Sequence, residues 1–145
     1  MSTQPLTRSE LARLASDLRL VCMRISRRVR YESDRELTPS QFSVLARLDG
    51  QPRTNRELAD IERVSAPSMT RTTAGLVAGG YVDRTDDPAD GRQVILSLTP
   101  VGRKALGRVR RQRDAWMLER FQGLSPEELD ILTRARDVLA TVANE

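Results

Sequence analysis

The stretch RVSAPSMTRT, residues 63–72, concentrates side chains that can form directional hydrogen bonds to a charged partner. Hydroxyls and the backbone N–H groups of a helix N-terminus can donate to phosphates or to base edges. Arg71 can reach a guanine or a phosphate with its planar guanidinium. The alternative is that Ser65 only caps a helix and Arg71 is solvated. The candidate contact residues of this stretch are Ser65, Pro67, Ser68, Thr70 and Arg71.

Two further segments could serve the same chemistry. One opens the preceding predicted helix, where backbone N–H groups also favour a phosphate, and it consists of Thr54, Asn55 and Arg56. The other is the tip of a predicted hairpin, Asp90-Gly91-Arg92. An arginine there suits a minor groove with enhanced negative potential. The Asp90 carboxylate could orient the Arg92 guanidinium through a charge-assisted hydrogen bond, although Asp-Gly is common at hairpin tips.

Side chains for catalysis are scarce in this chain. It contains no histidine and one cysteine, which excludes a histidine-dependent triad, the common zinc sites and an internal disulfide. No glycine-rich phosphate loop follows a strand, and no serine lies in a G-x-S-x-G elbow. We therefore expect a binding protein, with neither enzymatic activity nor a bound cofactor.

Composition permits a nucleic-acid partner without requiring one. The net charge is +4, and of the 24 basic residues only Lys104 is lysine. Arginine suits phosphate and base recognition, but the codons of a GC-rich genome would produce the same bias. No apolar run approaches the ~18 residues of a bilayer span. The N-terminus lacks the features of a signal peptide, so we expect a cytoplasmic protein with no membrane partner.

The elements that must position these side chains can be predicted from their boundaries. Capping boxes begin at Thr38, Thr54 and Ser125, and prolines after Ser65 and Thr99 open two more helices. Apolar periodicity predicts helices at about 9–31, 39–49, 55–62, 66–80, 100–122 and 126–143. The short runs 81–85 and 94–98 predict a β-hairpin. We predict an α+β fold, mainly helical, with a central lobe at 37–100 between helical regions at 1–36 and 101–145.

Helix 66–80 is predicted to have two different sides. The side expected to dock on the core consists of Ala66, Met69, Thr73, Leu76 and Val77. The outward side is small apart from one arginine, so it could enter a groove deeply, and it consists of Pro67, Arg71, Ala74 and Ala78. Gly75 and Gly79 are expected inside the helix, each costing about 1 kcal/mol relative to alanine.

The first helix carries apolar residues around more than half of its circumference, more than one small lobe can cover. We therefore expect a two-fold homodimer, which would place two copies of helix 66–80 about 34–36 Å apart, one turn of DNA. The alternative is a monomer in which this helix is well wrapped. The basic run 103–113 could extend a phosphate track, face acidic residues of the partner chain, or form a solvated helix face.

Cys22 lies on the apolar stripe of the first helix, four residues after Leu18 and three before Ile25. Apolar neighbours raise the pKa of a thiol. We therefore expect a buried, structural cysteine, and the alternative is a redox-sensing thiol, which would need access and a lowered pKa.

The chain resembles the MarR family of bacterial winged helix-turn-helix regulators along nearly its whole length. The resemblance is carried by LTPSQFSVLARL (37–48), TNRELAD (54–60), VSAPSMTRTTAGLVAGGYVDR (64–84) and DPADGRQVILSLTPVGR (87–103). The last two segments are the most specific, since they match the family's recognition helix and its wing. The resemblance implies a dimer made by the terminal helices, DNA contacts by residues 67–71 and a wing arginine at Arg92. Most members of the family repress transcription and release DNA on binding a small, often phenolic ligand or on oxidation.

The resulting hypothesis is a homodimeric regulator, a repressor rather than an activator, that binds a pseudo-palindromic operator in double-stranded DNA. A small aromatic effector would bind between the terminal helices and the lobe. Its candidate aromatic contacts, each of which could also be core, are Tyr31, Phe42 and Trp116. Two alternatives stay open: a redox-sensing regulator acting through Cys22, and a winged-helix module that binds proteins and not DNA.

Overall fold

The computed structural model describes residues 5–33 and 35–144, and within them the predicted α+β, mainly helical fold is confirmed. The elements are α1 (Arg8–Glu32), α2 (Pro39–Leu48), β1 (Arg53–Thr54), α3 (Asn55–Glu62), α4 (Ala66–Ala78), β2 (Val82–Asp86), β3 (Val94–Leu98), α5 (Pro100–Phe121) and α6 (Pro126–Asn144). No helix among the described residues has both the length and the apolar character needed to cross a membrane.

Local capping explains why the helix starts were predictable. At α2, the Thr38 hydroxyl accepts from the Gln41 N–H (3.2 Å), and the Gln41 side chain accepts from the Thr38 N–H (3.0 Å). The boxes predicted at Thr54 and Ser125 are confirmed in the same way. Each box satisfies two donors at a helix end that would otherwise have no partner.

The three strands form one antiparallel sheet in the order β1-β3-β2. The predicted hairpin is confirmed, with a register that runs from Val82 opposite Leu98 to Asp86 opposite Val94. We call this hairpin, residues 82–98, the wing. Strand β1 was not predicted, because two residues are too short to show a period and their partners, Leu96 and Ile95, lie some 40 residues later.

The hydrophobic core lies between α2, α3, α4, the sheet and the first half of α5. Its largest fully buried side chains are Leu45, Leu58, Leu76, Leu106, Val44, Val82 and Val109. The core therefore continues into α5, past the boundary at residue 100 that the sequence suggested for the lobe. By contrast, α1 and α6 contain no buried residue.

Two predictions about α4 were wrong. Met69, Thr73 and Leu76 are buried, as expected, but Ala66 and Val77 are exposed because they face an open groove beside the wing. The helix also ends at Ala78, so Gly79 is its C-cap and not an interior residue. The next residue, Gly80, has φ +76°, a conformation that favours glycine and turns the chain towards β2.

A tight joint connects the end of α4 to the start of α5. Thr99 caps α5 and donates from its hydroxyl to the Gly80 carbonyl (2.7 Å) and from its N–H to the Tyr81 carbonyl (3.1 Å). The same hydroxyl accepts from the Gly102 N–H (3.0 Å). A Cβ at position 102 would lie 2.0 Å from the Tyr81 carbonyl oxygen, so only glycine allows this approach.

The basic run on α5 pairs with acids of its own chain, an arrangement that the sequence analysis did not consider. Arg108 donates to Glu36 on the connection before α2 (2.6 Å), and Arg110 donates to Asp49 at the end of α2 (2.8 Å). The Arg113 guanidinium lies 3.6 Å from the centroid of the Phe42 ring. These contacts fasten α5 to the lobe, although exposed pairs of this kind each contribute little.

We expect Gly102→Ala to lower the free energy of unfolding by ~1–3 kcal/mol or more, because a backbone carbonyl cannot yield as a flexible side chain can. Urea unfolding followed by circular dichroism at fixed protein concentration measures the change. Gly107→Ala, on the same helix, is the matched control. Its Cβ would meet only the end of Arg111 at 3.4 Å, and it should gain up to about 1 kcal/mol from helix propensity. If the two variants were equally stable, the close contact between Gly102 and the Tyr81 carbonyl would not be a constraint on the fold.

Candidate nucleic-acid interface

A groove of about 910 Å³ lies between α3, α4 and the wing. Most of its wall is made of small apolar side chains, among them Ala59, Ala66, Ala74, Val77 and Ala78. Its polar side chains come from all three elements and include Asn55, Arg56, Thr70, Arg84, Asp90 and Arg92. The fold therefore brings the start of α3, Thr70 of α4 and the hairpin tip to one concave surface. The other predicted contact residues do not line this groove, and they are Ser65, Pro67, Ser68, Arg71 and Gly91.

The start of α4 is capped as expected. The Ser65 hydroxyl accepts from the Ser68 N–H (3.3 Å), and Pro67 occupies the second helical position. Pro67 and Arg71 are exposed on the side opposite the buried Met69, and Ser68 is half-buried at its border. Arg71 is therefore placed to meet a partner, whereas the hydroxyl of Ser65 already serves the helix.

The threonines of α4 differ from the expectation that its hydroxyls donate to DNA. Thr70 donates to the Ala66 carbonyl (2.9 Å), Thr72 to the Ser68 carbonyl (3.3 Å) and Thr73 to the Met69 carbonyl (3.0 Å). Threonine side chains in helices often bond the carbonyl four residues back. A hydroxyl has one proton, so none of the three has a proton left over for a phosphate.

The start of α3 is also engaged within the chain. The Asn55 amide donates to the Thr70 hydroxyl (3.2 Å), and its oxygen lies 3.0 Å from the hydroxyl of buried Thr73, whose one proton is shared between this oxygen and the Met69 carbonyl. Thr54 forms the capping box with Glu57, and Arg56 is exposed at the groove. Of the three candidates at this helix start, Arg56 is thus the one that projects a charge, whereas Asn55 joins α3 to α4.

The tip of the wing is shaped by Asp90, but not as predicted. Its carboxylate accepts from the backbone N–H of Arg92 (3.1 Å), and its carbonyl accepts from the Gln93 N–H (2.9 Å). The expected bond from Asp90 to the Arg92 guanidinium was therefore wrong, because the short side chain closes a turn on its own backbone. Gly91 and Arg92 are exposed at the tip.

Arg84 is a groove residue that the sequence analysis missed. It lies on β2 opposite Leu96, so its side chain is on the sheet face that carries Val82 and Leu96, and it is itself exposed. The sequence contained a signal for this position, because Arg84 lies two residues after the buried strand residue Val82 and so shares its face of the sheet. With Arg56 and Arg92 it gives the groove three guanidinium groups against the carboxylates of Asp60 and Asp90.

Cys22 is exposed, so the expectation of a buried thiol was wrong for the single chain. The reason is that α1 packs mainly against α5 and leaves most of its apolar stripe open. None of the three candidate aromatic residues lines the groove. Tyr31 is exposed, Phe42 lies under Arg113, and Trp116 lies 3.5 Å from the Arg120 guanidinium while its indole N–H donates to Glu32 (3.2 Å).

Helices α2, α3 and α4, with the wing beside the last two, define a winged helix-turn-helix protein in which α4 is the recognition helix. A MarR family profile matches residues 36–93. The chain is 42% identical over 136 residues to an HTH-type transcriptional regulator of Mycobacterium tuberculosis, covering 92% of this chain and 95% of the relative. It is 40% identical over 136 residues, with the same coverage, to an uncharacterized HTH-type transcriptional regulator of Mycobacterium leprae.

A solved MarR family protein from Bacillus stearothermophilus supports the fold, with a TM-score of 0.76 at 22% identity, over 97% of this chain and 100% of that one. The chain belongs to the MarR family and is a helix-turn-helix transcriptional regulator.

Glu62 at the end of α3 links this helix to α2, and the recognition helix packs against both. Its carboxylate accepts from the Ser43 hydroxyl (2.7 Å) and from Arg47 Nε (2.8 Å). Burial alone would raise the pKa of Glu62, but the hydrogen bonds from Arg47 and Ser43 outweigh it, so this pKa lies below its ordinary value. The ion pair therefore stabilises the fold above the unfolded-state pKa, and its contribution is lost as the pH falls through the folded-state pKa.

We expect Glu62→Gln to lower the free energy of unfolding by about 1 kcal/mol at pH 7, because it removes one charge of a partly buried pair. The difference from the parent should shrink as the pH falls below the unfolded-state pKa, and it should vanish only below the lower folded-state pKa, where Glu62 is protonated in both states. Urea titrations across this pH range measure it. Glu119→Gln, at an exposed side chain on α5, should change stability little at any pH. A constant Glu62→Gln deficit at all pH values would contradict the assignment.

Proposed function

We propose that the protein binds a pseudo-palindromic operator as a homodimer and represses transcription. In each subunit the recognition helix enters a major groove, and Arg92 enters the flanking minor groove. The observation that carries the proposal is that Arg56, Arg84 and Arg92 line one concave surface, and that Arg71 is exposed on the outward side of the recognition helix, which forms part of the same groove. The family to which the chain belongs supports the same assignment.

The contact residues fall into two groups in this proposal. Arg71 contacts a base or phosphate directly, Arg56 contacts a phosphate beside the start of α3, and Arg92 inserts into the minor groove. The other candidates shape the elements that carry these arginines, or allow close approach of the backbone, and they are Thr54, Ser65, Pro67, Ser68, Asp90 and Gly91.

The homodimer is supported by the apolar surface that a single chain leaves uncovered. On α1 the exposed residues include Leu11, Leu14, Leu18, Val21 and Ile25, and on α6 they include Leu129, Leu132, Leu139 and Val142. Large apolar side chains exposed in this number along two helices mark an interaction site. Covering it with a second copy about a two-fold axis pairs the recognition helices.

Release by a small aromatic effector is part of the same proposal. The effector would bind where α1 and α5 meet the lobe, close to the rings of Phe42 and Trp116. Arg113 lies against the first ring, and Arg28 and Arg120 lie against the second. Guanidinium groups stacked on aromatic rings suit an aromatic ligand that carries a negative charge.

Arg71→Ala and Arg92→Ala should each weaken operator binding about tenfold or more, and Arg71→Ala should also relax base preference. Fluorescence anisotropy with an operator chosen by selection from random duplexes measures both effects. The parent should lose about 10³-fold in affinity between 50 and 200 mM salt. Arg134→Ala, at an exposed side chain on α6, is the control and should bind as the parent does. A module that binds only proteins would select no duplex sequence.

The dimer makes a separate prediction for Cys22. The thiol is exposed in the single chain, but it lies on the apolar stripe of α1 that a second copy would cover. Iodoacetamide should therefore label the native protein slowly at micromolar concentration and faster on dilution below the dimer dissociation constant. Peroxide should leave operator affinity unchanged. Labelling at the rate of the unfolded chain at every concentration would contradict this dimer interface.

A further inference from the structure

The hydroxyl of Thr70, an exposed residue of the recognition helix, both donates and accepts a hydrogen bond within the protein. Its hydroxyl donates to the Ala66 carbonyl (2.9 Å) and accepts from the Asn55 amide (3.2 Å). A hydroxyl has one proton and two lone pairs. One lone pair therefore remains for a partner, so Thr70 presents a hydrogen-bond acceptor together with its methyl group.

The assignment does not depend on which way the Asn55 amide is turned. With its nitrogen towards Thr70, the amide donates to Thr70, and its oxygen shares the Thr73 proton with the Met69 carbonyl. With the amide rotated by 180°, Thr70 could donate to the Asn55 oxygen or keep its bond to Ala66. In both orientations the Thr70 proton is used inside the protein, so the character presented outward is the same.

The position of Thr70 decides which partners it can meet. It immediately precedes Arg71 and is exposed on the flank of α4 that faces the groove. Phosphate oxygens, guanine O6 and N7, and thymine O4 are all acceptors, so none of them can bond the remaining lone pair. The donors that a major groove offers are the exocyclic amino groups, N6 of adenine and N4 of cytosine.

We propose that Thr70 determines operator specificity by accepting a hydrogen bond from the exocyclic amino group of an adenine or cytosine in the major groove. Asn55 is its positioning residue, because the amide fixes the hydroxyl on the flank of the helix. The Thr70 methyl contacts a thymine methyl where the base pair supplies one. This proposal rests on the proposed function, DNA binding by α4, and adds the chemistry of one of its contacts.

Selection from a library of random duplexes, with the parent, Thr70→Val, Thr70→Ser and Thr133→Val, tests the proposal. The parent should select an amino-bearing base about tenfold at one position of each half-site. Thr70→Val keeps the shape and removes the acceptor, so it should lose the preference at that position alone. Thr70→Ser keeps the acceptor and should keep the preference for the amino group; if the base is adenine, it should discriminate less against cytosine, since the methyl contact to thymine is gone.

Thr133→Val is the matched control. Thr133 is an exposed helical threonine that also donates to the carbonyl four residues back, at 2.8 Å, but it lies on α6. Its selected motif should equal that of the parent. The proposal is overturned if Thr70→Val selects the parent's motif at every position. It is also overturned if affinity falls equally for all sequences with a smaller salt dependence, which indicates a phosphate contact.

Failure of the proposed function has a different signature. A parent that selects no duplex sequence would refute DNA reading by α4, and the assignment of Thr70 would fall with it. If the parent and Thr70→Val select the same motif, DNA binding stands and only the assignment of Thr70 is lost.

Asn55→Ala tests the positioning role. In the parent background it should reduce the preference at the Thr70 position several-fold, and in the Thr70→Val background it should cause no further change at that position. An equal loss in both backgrounds would mean that Asn55 contacts the base itself, which overturns its role as a positioning residue. Thermal unfolding of each variant checks that α3 and α4 remain packed.

Discussion

The architecture depends on the close contact between the end of the recognition helix and the start of α5. Thr99 bonds both carbonyls of the Gly80-Tyr81 turn, and Gly102 allows the helix backbone to approach the second of them. Because Thr99 follows β3 directly, the same contact also fixes the base of the wing. The recognition helix, the wing and the first half of α5 are thereby held in one geometry. Any change in the direction of α5 must be transmitted to the surface that would meet DNA.

Two kinds of polar group lie on that surface. The first kind is already hydrogen-bonded within the protein, and the second is not. The hydroxyls of Thr54, Ser65 and Thr73 and the amide of Asn55 are bonded within the protein, so they hold the ends of α3 and α4 in place. The guanidinium groups have no such internal role. A helix end stabilised by its own caps can present charged side chains in a fixed position, which lowers the entropic cost of recognition.

The sequence predicted the features that are local and missed those that depend on distant partners. Helix starts were predictable because a capping box such as that at Thr38 spans four residues and leaves few alternatives. The pairing of Arg108 with Glu36 joins residues that are 72 positions apart in the sequence, and no pattern in either segment predicts it. Whether the Thr70 proton turns inward or outward depends on one side-chain torsion, which residue type does not determine. Cys22 was misplaced because apolar periodicity shows which side of α1 can be buried but not whether its own chain buries it.

The distribution of arginine partners explains how a net charge of only +4 can suit a polyanion. Within the described residues, Arg47, Arg108 and Arg110 are paired with carboxylates at the joints between helices. No ion pair in that part of the chain engages Arg56, Arg71, Arg84 or Arg92. Acidic residues thus pair with the cations that serve the fold, whereas the groove arginines form no ion pair among the described residues, although Asp60 and Asp90 line the same groove. Apolar side chains in a concave wall strengthen the field of the charges beside them, so the placement of these arginines matters more for a polyanion than the total charge does.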